Sequence, residues 1–250
     1  MYFNFILLFL CAFIAGMTVV VFPNISKKNF KTILSFSGAY LFSITVIHIL
    51  PELFHEQKEL TTTGIFVLGG FFLQMILELF TTGIEHGHIH NSHDHHFPKT
   101  SILLGMLVSL CFHAFLEGTL IIHPHQHDGN TELHQTDSLM FGLILHKIPE
   151  SIALAAVLSY TLINKNKIIF YLVLFSLASP LGLLFSSYFY ESHLFSTNLF
   201  SYLFAVVAGN FLYISTTIFF ESSPDHQFKS RKLIVSFIGA FMAIVSEKYL

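Results

Sequence analysis

The sequence predicts an all-α, polytopic membrane protein: a bundle of eight transmembrane helices with both termini outside. Three observations predict it. There is too little charge for a water-facing surface, the apolar runs are of membrane-spanning length, and lysine and arginine fall on one side of those runs. Of the 250 residues, 53% are hydrophobic and only 11% are charged, against about 25% charged in soluble domains. Lipid must therefore solvate much of the chain.

A helix that crosses the hydrocarbon core needs about 20 predominantly apolar residues. Such runs lie at 2–22, 33–54, 65–84, 100–122, 138–161, 167–190, 197–220 and 231–248. The first carries no basic residues ahead of it, and Lys27, Lys28 and Lys31 come after it. That pattern suits an uncleaved helix with an outside N-terminus rather than a signal peptide. The second holds His48, Pro51 and Glu52, and the third holds Glu78. The fourth and fifth hold the densest polar content, described below. Pro180 lies in the sixth, Glu221 just past the seventh, and Lys248 at the end of the eighth.

With this topology the inner side carries Lys27, Lys28, Lys31, Lys99, Lys165, Lys167, Lys229, Arg231 and Lys232, and the outer side only Lys58 and Lys248. The positive-inside rule favours it, and dropping any helix spoils the bias. Connections of about fifteen residues or fewer leave no room for a soluble domain, so 1–250 reads as one transmembrane domain. A net charge of −3 gives no basic surface for nucleic acid. Cys11 and Cys111 both fall in apolar runs and read as buried packing residues rather than a disulfide.

Ionisable side chains at the bilayer centre cost about 2.5–3.5 kcal/mol each on insertion scales, so each asks for a role. The fourth span reads His113-Ala114-Phe115-Leu116-Glu117-Gly118, and the fifth His146-Lys147-Ile148-Pro149-Glu150-Ser151. In both, His and Glu are four residues apart and share a helix face. Imidazole and carboxylate together are ligands for zinc and similar divalent metals. Counted from the outer ends of their spans, His113 and His146 lie at about the same depth, some 12–14 Å down. Glu117 should then lie one turn shallower and Glu150 one turn deeper. Pro149 cannot donate to the carbonyl of Leu145, which predicts a kink beside His146.

These residues resemble the ZIP (Zrt-, Irt-like) family of metal transporters. HAFLEG at 113–118 and HKIPES at 146–151 are similar to that family's helix-four and helix-five motifs. HILPE at 48–52, Pro180-Leu181-Gly182 and Phe211-Leu212-Tyr213-Ile214 are similar to its helices two, six and seven. The resemblance implies an uptake transporter rather than an enzyme. It would move Zn2+ inward by alternating access, and it implies a homodimer. His/carboxylate ligands alone do not separate Zn2+ from Fe2+, Mn2+ or Cd2+.

Members that hold two metals side by side place extra ligands where this chain has Ala114, Lys147 and Ser179. The resemblance therefore implies one central metal on His113, His146 and Glu150, with Glu117 as the fourth ligand. Lys147 has two readings: it neutralises a carboxylate of the site and opposes a second ion, or it turns away to pair with Glu78.

His48 and Glu52 read either as an outer ligand pair on the metal's way in or as a helix-end cap. Glu221 reads either as lining the way out or as snorkelling to the interface. His86, His88, His90, His93, His95 and His96 fill an inner loop at 85–96, and His123, His125, His127 and His134 an outer one at 123–134. Such tracts bind metal loosely, for storage or sensing inside and for concentrating metal at the mouth outside; the alternative for the inner tract is a solvated loop with incidental affinity. Two rivals stand beside transport inward. A zinc exporter of the cation diffusion class usually has six helices and a soluble metal-binding domain. An integral membrane metalloenzyme wants motifs such as HExxH, which the sequence does not contain. With no organelle address, a bacterial-type inner membrane is the expected location.

Overall fold

The structure, a computed structural model, describes residues 2–22, 27–56, 59–81, 100–121, 131–162, 164–192, 197–221 and 230–249. The described residues are helical almost throughout and contain no strand. In chain order the elements are α1 (Tyr2–Val21), α2 (Lys27–Ile44), a π-helical turn (Thr45–Ile49), α3 (Leu50–Glu56), α4 (Leu60–Thr81), α5 (Thr100–Thr119), α6 (Thr131–Thr161), α7 (Lys165–Glu191), α8 (Thr197–Glu221) and α9 (Ser230–Tyr249). Each expected span falls on helix, with α2, the π turn and α3 forming one rod. Six helical stretches are long and apolar enough to cross a membrane: Tyr2–Val21, Asn29–His55, Leu60–Phe80, Ser138–Ser159, Lys165–Phe189 and Leu199–Ile218. Leu103–Thr119 is a shorter apolar helix.

Two helix starts differ from expectation. Helix α6 begins at Thr131 rather than 138, so the last residues of the expected outer loop are helical backbone. Hydropathy sees only the apolar part of a rod, and Glu132 and Gln135 are adequate helix formers beyond it. The rod built on α2 likewise begins six residues before its apolar run. A departure from regular α-helix occurs ahead of Pro51. Helix α6 stays helical through Pro149, whereas Leu50 donates its N–H to the carbonyl of Thr45, five residues back. The missing N–H of Pro51 leaves its carbonyl acceptor without an ordinary partner, and one wide turn accommodates it.

The helices are inverted relative to soluble ones. On α1 the buried residues are Leu8, Ala12, Ala15, Gly16 and Val19, while Phe3, Ile6, Leu10 and Ile14 are exposed. On α9 the buried residues are Ser236, Gly239, Ala243 and Ser246, and Phe237, Phe241 and Ile244 face out. Small residues inside and large apolar ones outside suit a lipid solvent, in which close backbone packing drives association.

The rods pack in two sets. Helices α1, α5, α6 and α7 pack together, α5 on α7 and α1 on both α6 and α7. The second set pairs α4 with α8, and α2 with α8 and α9. Glycines set the closest crossings. A Cβ on Gly118 would lie 1.9 Å from the carbonyl oxygen of Ser179, and one on Gly182 would lie 2.0 Å from that of Phe115. The backbones of α5 and α7 touch only because both are glycine. Gly70 and Gly209 do the same for α4 and α8, against the carbonyls of Val206 and Val67. Phe66 stacks on Tyr202 and Phe71 meets Tyr213, so α4 and α8 run parallel. Ser109 donates to the carbonyl of Leu77, and Gly105 faces Phe80, so α4 and α5 run antiparallel. Gly239 faces Phe36, and Tyr40 bonds Ser246, so α2 and α9 run parallel.

Candidate metal centre

The fourth and fifth predicted spans are α5 and α6. The i, i+4 spacing turns His113 and Glu117 to one face of α5, and His146 and Glu150 to one face of α6. The structure brings these four together. One ligand atom from each lies within 4.8 Å of all the others, and all four residues are buried. The two imidazoles are neighbours, with ring centroids 6.0 Å apart and planes near perpendicular.

The carboxylates reach the same point. Glu117 Oε1 is 3.0 Å from His113 Nε2 and 3.4 Å from His146 Nε2, so it joins both helices. Glu150 Oε1 reaches back to 3.9 Å from His113 Nε2. The two acids converge on the imidazoles. Two methylenes in each Glu side chain give the reach that a count of Cα positions leaves out.

Lys147 completes the cluster. Its ammonium contacts Glu117 directly and lies 2.6 Å from Glu150 Oε2. It also lies over the Phe175 ring of α7, 5.3 Å from the centroid. Its pairing with Glu78, one of the two sequence readings, is not what the structure shows. The hydroxyl of Tyr213 instead donates to Glu78. The approximately 100° between neighbouring helix positions does not separate Lys147 from the site, because Glu150 projects between His146 and Lys147. A buried carboxylate pair is strongly unfavourable without compensation, and Lys147 offsets one of the two charges while contacting both acids.

Neighbouring contacts fix these helices. Ser179 donates to the carbonyl of Ala114 at 2.8 Å, so its hydroxyl is directed at the α5 backbone. Ser151 donates to the carbonyl of Ala12 at 2.5 Å, holding α6 to α1. Cys11 and Cys111 are both free, half-buried thiols.

A second polar cluster lies toward the C-terminal end of the α2 rod. His48 is buried within the π turn, which excludes the reading as a solvent-facing cap. Its Nε2 is 3.4 Å from Glu52 Oε2 and its Nδ1 is 3.0 Å from Glu247 Oε1. Ser138 of α6 donates to Glu247 Oε2 at 3.1 Å. Sequence reasoning gave Glu247 no role. The available signal was a carboxylate in the last turn of the last span, at the same end as His48. The side chain of Glu221 and the histidines of 85–96 and 123–134 lie outside what the structure describes.

No curated protein sequence matches the chain. The sequence model of the ZIP zinc transporter family matches residues 99–246, from just before α5 into α9, and includes all four residues of the cluster. That match covers more than half of the sequence and agrees with a buried His/Glu cluster fit for a metal ion. The chain belongs to the ZIP zinc transporter family, a family of membrane transporters of divalent metal ions.

Proposed function

We propose that this protein carries Zn2+ into the cytoplasm across a bacterial-type inner membrane. The ion passes through a site formed by His113, Glu117, His146 and Glu150. The observation that carries this reading is the convergence of two imidazoles and two carboxylates from α5 and α6 in a buried cluster. Ligands bound to tetrahedral zinc at about 2.0–2.2 Å stand roughly 3.4 Å from one another. The contacts of Glu117 with both imidazoles, at 3.0 and 3.4 Å, already match that spacing. Lys147 takes the place of a second cation, so the site holds one metal. When zinc binds, the ammonium must withdraw from the two carboxylates, and Phe175 gives it an aromatic face to rest against.

The path begins at His48 and Glu52 and ends toward Glu221. The His tracts at 85–96 and 123–134 hold metal loosely at either side. Alternating access arises from rearrangement of the helices around α5 and α6. Eight crossings with both ends outside accord with the parallel and antiparallel helix pairs, and the family resemblance implies a homodimer.

The test is metal uptake into proteoliposomes, comparing wild type with His146→Ala and Glu150→Ala, with Zn2+, Fe2+, Mn2+ and Cd2+ in parallel. Saturable uptake that both substitutions abolish is expected, with Zn2+ the preferred ion. Wild type that moves no metal, or substituted protein that moves it equally well, overturns the assignment.

A further inference from the structure

Away from the metal centre, a cavity of about 390 Å³ opens between α2, α8 and α9. Ala39, Phe42, Leu233, Ser236, Phe237 and Ala240 form most of its wall. Phe237 and Leu233 are 67% and 42% exposed, so the cavity is a groove open to the surrounding lipid. Two hydroxyls on the wall are turned into their own helices. Ser43 donates to the carbonyl of Ala39, and Thr216 to that of Leu212. The wall they leave is apolar.

Ser236 is the exception. It is only 5% exposed, and its hydroxyl has no hydrogen-bond partner among the described residues. A buried hydroxyl without a partner is costly. One turn nearer the start of α9 is Lys232; α2 and α9 run parallel with Phe36 against Gly239, so Lys31 stands near the same end of the neighbouring helix and the two like charges repel. Arg231 is exposed beside them.

At 1.5 Å per residue, Ser236 lies about 6 Å along α9 from Lys232, and Ala240 about 12 Å. Paired cations, then a hydroxyl donor, then an apolar trough is the layout of one leaflet, whose hydrocarbon is about 15 Å deep. We propose that the groove binds one anionic phospholipid. Its phosphate lies on Lys31 and Lys232, an ester carbonyl accepts from Ser236, and an acyl chain runs past Phe237 and Ala240. The phosphate relieves the repulsion between the ammonium groups, and the ester gives Ser236 its missing acceptor.

A second copy of the chain fits this face less well. A two-fold axis normal to the membrane sets equal depths against each other, so Lys31 and Lys232 would meet their own counterparts. The lysine-rich end also faces the side where anionic lipids are enriched in the topology proposed above.

The test is native mass spectrometry of the purified full chain in detergent, titrated with dioleoyl phosphatidylglycerol or dioleoyl phosphatidylcholine. Wild type should retain one phosphatidylglycerol per chain about tenfold more tightly than phosphatidylcholine, as expected for two nearby cations. Lys31→Gln/Lys232→Gln should remove that preference, and Ala240→Phe should weaken both lipids. Ser236→Ala, which leaves the charge and the groove shape in place, should lower retention of both by a few-fold. Equal retention of the two lipids by wild type overturns the proposal, as does a preference unchanged in the double variant. Efficient cross-linking of Phe237→Cys between copies in membranes also overturns it, by making the groove an interface between chains.

Discussion

The Lys147 ammonium on α6 lies against the Glu117 carboxylate on α5, whose other oxygen meets both imidazoles. A positive charge belonging to the protein thus occupies the space between the two acids that a metal cargo would share. Two consequences follow from one placement. In the metal-free cluster one ammonium is shared by two carboxylates, so neither acid stands bare in the bilayer interior. An arriving divalent ion must also displace the ammonium from the carboxylates.

Lys147→Met removes that competitor while keeping most of the side-chain volume. Without metal, breaking a buried pair should cost about 3–5 kcal/mol, read as a lower melting temperature in detergent. Zinc should then bind about tenfold or more tightly than to wild type, because a cation a few ångströms from a divalent ion is strongly repulsive. Zinc should also raise the melting temperature of the variant more than that of wild type. Weaker zinc binding by the variant would mean that Lys147 supports the ion instead of competing with it.

The reciprocal glycines of α5 and α7 set the position of His113. Gly118→Ala and Gly182→Ala each place a methyl within 2.0 Å of a facing carbonyl oxygen. The helices must part, at a cost of about 1–3 kcal/mol for overpacking, and α5 carries His113 and Glu117 with it. Both variants should melt lower and bind zinc less tightly. Gly64→Ala and Gly69→Ala on α4 meet nothing within 4 Å and should melt at or slightly above wild type, since alanine favours helix. Equal behaviour of the two groups in a thermal melt would dissociate the close approach from the site.

These contrasts show what was legible in the sequence. Spans and the paired His/Glu motifs follow from local rules: apolar length for the former, and helix periodicity for the latter. The adjacency of His113 and His146 was countable for the same reason. The partner of Lys147 was not, because a flexible four-carbon stem reaches across helices and its choice depends on how α5 and α6 face each other. Glu247 stayed hidden because its partner, His48, is almost two hundred positions away. The π turn followed from Pro51 only in part: the missing N–H was legible, but the means of accommodating it was not.

Zinc binding should release protons. Imidazole ligates only as the neutral base and Glu as the carboxylate, so protons and metal compete for the same atoms. The sign is fixed: apparent affinity falls as pH is lowered, by roughly tenfold per pH unit for each proton released. Titration calorimetry between pH 7.5 and 5.5, in buffers of different ionisation enthalpy, counts those protons directly. A pH-independent affinity with no proton release would remove His113 and His146 as ligands.

The His48 cluster separates an access role from a structural one. His48 lies between Glu52 and Glu247, 3.4 and 3.0 Å away, and through Glu247 it also reaches Ser138 of α6. If the cluster receives metal on its way to the central site, His48→Ala should raise KM for zinc uptake several-fold. The maximal rate should stay within about twofold, because His113, Glu117, His146 and Glu150 are untouched. Glu247→Gln should shift KM the same way by a smaller factor, since the amide keeps its place but loses the charge that attracts a cation. If the cluster instead only clamps the α2 rod to α9, both substitutions should lower the melting temperature and the maximal rate, and saturating zinc should not restore transport. Initial rates over a range of zinc concentrations in proteoliposomes, read beside thermal melts of the same preparations, decide between the two.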